Sequence, residues 1–156
     1  MSDVAKRASR LTVLRHGHAV DRCPTGDFDR ALDERGHAEI ERAARELRAL
    51  SSLPSLILAS PARRTRESAE VLQRVWAEPE DATAAAGLAG RTEVQLRFEP
   101  RLYLARVDTL QDIITLHAPL QTHLLLVGHN PGLSDLLQHF DVPRALGTGD
   151  WHSIVR

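Results

Sequence analysis

The segment Leu11-Thr-Val-Leu-Arg-His-Gly17 decides how this chain is read. Leu11 to Leu14 is a short apolar run, suited to a strand inside a sheet, and it passes directly into Arg15, His16 and Gly17. The same event recurs twice. Leu56 to Ala59 reads as a second strand ending at Ser60-Pro-Ala-Arg-Arg-Thr65, and His123 to Val127 as a fourth ending at Gly128-His129-Asn130. Val94 to Phe98 alternates as a third strand, and Trp151 with Ile154-Val155 reads as a short last one. Amphipathic stretches lie between them. Asp33 opens a helix with Ile40, Ala44, Leu47 and Leu50 at helical spacing. Pro61 suits the first turn of a second helix, which runs to about Trp76, with Ser60 as its N-cap. Thr109 to His117 and Leu133 to Phe140 supply two more. Strands alternating with helices indicate an α/β domain.

At 156 residues the chain fits one domain, expected over residues 11–156, with the polar residues 1–10 as a flexible tail. Net charge is −1, so no global field draws it to nucleic acid or to an acidic membrane surface, and neither is expected as a partner. No apolar run is long enough to span a bilayer. The single cysteine, Cys23, rules out an internal disulfide and suits a reducing cytoplasm, the expected location. Lys6 is the sole lysine, so an isolated arginine means little here; only one at a defined spacing from other chemistry counts. Glu78 to Gly90, rich in Ala and Gly, reads as a surface excursion.

In an open α/β sheet, ligands collect outside the carboxyl ends of the strands. Three basic strand ends meeting there bring two histidines and at least two arginines together. Such a cluster calls for an anion, and arginine forks match phosphate oxygens. Pro131 also places a helix start beside His129, where free backbone N–H groups favour negative charge. His16 adds chemistry to binding: a neutral imidazole nitrogen attacks phosphorus while the arginines spread the growing charge, and water then hydrolyses the phosphohistidine. Gly17 is expected to be glycine because the phosphoryl group approaches the backbone there.

Leu-Arg-His-Gly17, Ser60-Pro-x-x-Arg64 and Val-Gly-His129-Asn resemble the motifs of the histidine phosphatase superfamily, in order and across most of the chain. The short length, without a large inserted helical region, is similar to the SixA type of protein-phosphohistidine phosphatase. The resemblance implies a three-layer α/β/α sandwich with a mostly parallel central sheet, the phosphoglycerate mutase-like fold, and no metal or other cofactor. It implies Arg15 as a phosphate-binding arginine, His16 as nucleophile, Arg64 as second arginine and His129 as the second histidine, which stabilises the transition state. Arg63 and Arg66 are neighbours of the motif rather than members. Gly17 and Asn130 complete the implied substrate-binding set. Larger members place an acid near the third strand, and the nearest candidate here is Glu99, in Phe98-Glu-Pro-Arg-Leu-Tyr103. SixA-type proteins resemble this chain in lacking an obvious dedicated acid, which fits an imidazole leaving group. The implied substrate is a phosphorylated protein, phosphohistidine first, with a small phosphorylated metabolite as the alternative.

Two other readings compete. His16-x-His18 with Asp21 raises a metal site, although Ala19-Val20 interrupts the spacing a metal hydrolase needs. A non-catalytic phosphate- or phosphoprotein-binding module would keep the pocket without turnover. His37, His117, His123 and His139 fall on helix or strand patterns as surface or core residues, and His152, after Gly147-Thr-Gly149, stands to edge the pocket.

Overall fold

Residue-by-residue alternation along the strands builds two cores on one sheet. The computed structural model describes residues 9–50, 53–79 and 93–156. Its strands are β1 (Arg10–Arg15), β2 (Leu56–Ala59), β3 (Gln95–Phe98), β4 (His123–Gly128) and β5 (Trp151–Val155), in the spatial order β3-β2-β4-β1-β5. All neighbouring pairs are parallel except β1 with β5. Leu11, Val13, Leu58, Leu124 and Leu126 point to the face covered by α3 (Val107–His117) and α4 (Gly132–His139). The alternate residues Leu14, Ile57, Ala59, Leu125 and Val127 point to the face covered by α1 (Glu34–Ala49) and α2 (Arg63–Ala77). Helices on both faces explain why β2 and β4 are buried along their whole length. The result is the three-layer, mostly parallel sandwich that the alternating pattern leads one to expect. Among the described residues no helix is long and apolar enough to cross a membrane.

The parallel register aligns the strand ends. Arg15 pairs with Gly128, and Ala59 with Val127. One residue further on, His16 N donates to Gly128 O at 3.1 Å and Ser60 N to Val127 O at 3.1 Å. His16, Ser60 and His129 therefore leave the sheet side by side. The convergence rests on hydrogen-bond register and not on loop conformation alone.

Several local expectations change. Arg10, expected in the tail, belongs to β1, where its N–H bonds Thr122 O at 3.0 Å, and Ser9 O accepts from Arg156 N at 2.8 Å. Residues 1–8, and residues 80–92 with most of the expected surface excursion, lie outside the described residues. Ala62, not Ser60, caps α2, because the helix begins at Arg63 and not at Pro61; the Ser60 hydroxyl accepts from Ala62 N at 3.4 Å and bonds His129. Asp33 caps α1 as its sequence position implies, accepting from Gly36 N at 2.8 Å. Packing requires glycine at position 17. A Cβ there would sit 2.5 Å from Gly36 O, and one on Gly36 would sit 2.0 Å from His18 O. The two glycines let the first turn of α1 lie directly on the His16–His18 backbone.

Candidate active site

His16 is only 7% exposed at the end of β1. Its Nδ1 lies 2.7 Å from Gly17 O. A carbonyl oxygen only accepts, so Nδ1 carries the proton and Nε2 keeps its lone pair. That lone pair faces Arg64, whose Nε donates to it at 3.3 Å. Arg64, 3% exposed on the first turn of α2, is the hub of the site. Its Nη2 donates to His129 Nδ1 at 3.2 Å, and Nη1 and Nη2 donate to Asp27 O and Oδ2 at 2.8 and 3.1 Å. With Nδ1 of His129 accepting, its Nε2 carries the proton and donates to Ser60 Oγ at 2.8 Å. The two imidazole rings stand 5.3 Å apart between centroids.

Arg15 completes the cluster from β1. Its Nη1 donates to Leu146 O at 3.0 Å, while its Nε is a buried donor without a hydrogen-bond partner. Buried donors are almost always paired, and an anion is the acceptor this one suits. His16, Arg15, Arg64 and His129 are thus brought together as the sequence leads one to expect.

Others are not. Glu99 accepts from Arg101 N and Nε, both at 3.1 Å, and caps the short 3-10 turn Pro100–Leu102. It bonds none of the four cluster residues, and its hydrogen bonds with Arg101 hold its carboxyl below the usual range. The Asn130 side chain donates to Leu146 O at 2.7 Å and accepts from Ser134 Oγ at 2.9 Å, so it ties the loop to the start of α4. Gly17 N donates to Ser68 Oγ at 3.1 Å. His18 turns away from His16 and bonds Asp33. His152 pairs with Val13 partway along the edge strand β5 and lies beside Arg144, away from the strand ends.

The site also contains residues that motif reading passes over. Asp27 lies on the 3-10 turn Asp27–Asp29, Tyr103 donates its hydroxyl to Asp27 Oδ2 at 2.7 Å, and the Tyr103 ring meets His129 edge-on at 5.5 Å. Ser60 accepts the Nε2 proton of the His129 tautomer that Arg64 selects. Asp27 was one of three aspartates in one loop, with no spacing rule to pick it out.

Residues 11–96 match the model of the histidine phosphatase superfamily, branch 1. The chain belongs to that superfamily. An uncharacterized chloroplastic protein of Arabidopsis thaliana is 34% identical over 131 residues, covering 79% of this chain and 55% of that protein, so the chain spans about half the length of the curated relative it matches. A solved structure from Agrobacterium tumefaciens, provisionally assigned as the phosphohistidine phosphatase SixA, superposes with a TM-score of 0.77 at 26% identity, covering 96% of this chain and 93% of that one. The protein histidine phosphatase SixA, solved in complex with tungstate, superposes at 0.73 with 19% identity, covering 92% and 86%, a likeness of fold.

In this member of the superfamily both site imidazoles are neutral at pH 7. Burial, then the charges of Arg64 and Arg15, push His16 down to about 4, against the Gly17 hydrogen bond. Burial, then Arg64, push His129 down to about 3. Both values lie below the ordinary histidine value of 6.5, so the unfolded chain protonates first as the pH falls. The stability contributed by these neutral rings is complete above pH 6.5 and is lost as the pH drops through about 4 and then about 3. Thermal unfolding is expected to show Tm falling over that window. A His16→Gln, His129→Gln double variant is expected to flatten the fall; an unchanged slope would assign it to other groups.

Proposed function

We propose that this chain hydrolyses phosphorylated substrates through a phosphohistidine on His16 Nε2, without a metal, and that its substrate is protein phosphohistidine. The observation that carries the reading is the His16 tautomer. Gly17 O holds the proton on Nδ1, so Nε2 presents a neutral lone pair into a cluster of two arginines and a second histidine. As the phosphoryl group moves to Nε2, the Nδ1–H bond to Gly17 O supports the imidazolium that forms. Arg64 and Arg15 face the same space and stabilise charge on the equatorial phosphoryl oxygens. Water then attacks phosphorus, and the neutral ring departs as it was.

Protein phosphohistidine is favoured by the rim of the site and by the likeness to the Agrobacterium structure. Phe28 is 40% exposed and meets Tyr103 edge-on at 5.1 Å, and Leu104, 53% exposed, is turned outward by a left-handed backbone (φ 50°). An aromatic and apolar rim suits a side chain presented on a protein surface better than a polyhydroxylated metabolite. A competition panel tests the choice: a phosphohistidine-bearing protein against sugar phosphates and nucleotides, with EDTA present, scored by kcat/KM. The phosphoprotein is expected to lead by about 100-fold or more, roughly 3 kcal/mol of discrimination. A metabolite leading the panel would reassign the substrate, and loss of all activity in EDTA would reassign the chemistry.

A further inference from the structure

Glu99 leaves the reaction without an obvious proton carrier, and the structure places a different carboxylate at the cluster. Asp27 is delivered by Gly26, whose φ of 108° favours glycine. Its carboxylate accepts from Arg64 Nη2 at 3.1 Å, Tyr103 Oη at 2.7 Å and Arg30 Nη1 at 3.0 Å. Among the described residues it is the one carboxylate that bonds the His16–Arg64–His129 cluster. The neighbouring acids are committed elsewhere: Asp33 to His18 and Gly36 N, Glu39 to His18 N and Thr148, Asp150 to Gly147 N. The Asp27 side chain is 44% exposed while Arg64 behind it is 4% exposed, so it stands where the cluster meets solvent and where a substrate arrives.

In the free protein the Tyr103 hydroxyl, then Arg64 and Arg30, hold Asp27 down to about 2. Phosphoryl oxygens entering the site compete with Asp27 for Arg64. A carboxylate that loses its arginine and gains a phosphoryl neighbour binds a proton more tightly, because like charges in contact oppose each other's ionisation. Tyr103 and Arg30 hold the side chain in place meanwhile.

We propose that Asp27 is the proton carrier of this reaction, a role that rests on His16 being the nucleophile. In the first step the Nε2 lone pair forms the N–P bond, the bond from phosphorus to the leaving oxygen or nitrogen breaks, and the Asp27 proton goes to that leaving atom. In the second step water oxygen bonds phosphorus, the N–P bond returns its electron pair to Nε2, and the water proton goes to Asp27. The cycle ends as it began, with one water consumed.

The test compares leaving groups. Dinitrophenyl phosphate needs no proton at its leaving oxygen; phenyl phosphate does. Asp27→Asn is expected to lower kcat/KM on phenyl phosphate by about 100-fold, the usual contribution of a positioned acid, and by less than about threefold on dinitrophenyl phosphate. Retained activity on the second substrate certifies the fold. Asp27→Glu, which keeps the acid, is expected to recover about tenfold of the loss on phenyl phosphate. Equal losses on both substrates by both variants, with an acid-labile adduct still forming on the wild type, overturn the role of Asp27 alone. Absence of any adduct on the wild type overturns the His16 reading, and this role with it.

Discussion

Replacing His16 with alanine is expected to leave a folded protein whose kcat/KM on an aryl phosphate falls by at least about 10⁴-fold, because nothing else in the cluster can form the covalent intermediate. The other imidazole, His129, donates its Nε2 proton to Ser60 and turns its Nδ1 to Arg64 Nη2. The fold should survive, since the His16 ring makes one backbone bond, to its own neighbour Gly17, and the strand register depends on main-chain pairs. Circular dichroism and a phosphate-binding titration separate loss of chemistry from loss of structure. Unimpaired turnover in this variant would move the reaction to another residue.

The second large effect belongs to Arg64. Its guanidinium touches His16 Nε2, His129 Nδ1 and Asp27 at once. Arg64→Ala is expected to lower kcat by about 10²–10³-fold, the loss typical of one preorganised donor at a developing oxyanion. Arg64→Lys should recover little, because a single ammonium cannot reproduce the planar fork. The same change has a measurable electrostatic signature. Arg64's positive charge helps hold both imidazoles below the ordinary value, so its removal should raise both titration points, as read by the C2–H resonances of the two rings. The stability window then narrows from below. Its acid limb shifts upward, from near 4 and 3 toward 6.5, and less stability is lost across it. Wild-type rates in Arg64→Ala, or titration points that do not move, would contradict the hub role.

How much of this was legible beforehand follows from what each residue depends on. The sheet could be read because Leu11–Leu14, Leu56–Ala59 and His123–Val127 are apolar on both faces, a pattern that only a doubly covered parallel sheet explains. His16, Arg64 and His129 were legible because each stands at a fixed distance from such a strand. Side chains that act through long-range contacts were not. Ser60 looked like a helix cap until β4 brought His129 to its hydroxyl. Asp27 and Tyr103 are joined across the chain by a 2.7 Å hydrogen bond that no local pattern announces. Glu99 has a sequence position near β3 that suits a proton donor, while its carboxylate bonds Arg101 two residues away, a pairing the motif does not announce. The packing need for Gly17 is not local either, since its missing Cβ makes room for Gly36 nineteen residues on.

The most direct test of the phosphohistidine route is a rapid-quench experiment with a radiolabelled aryl phosphate in EDTA. An acid-labile, base-stable phosphoryl adduct is expected on His16, attached at Nε2 because Gly17 O engages Nδ1. It should form at least as fast as steady-state turnover. Turnover with no such adduct, or with label on any other residue, would contradict the account.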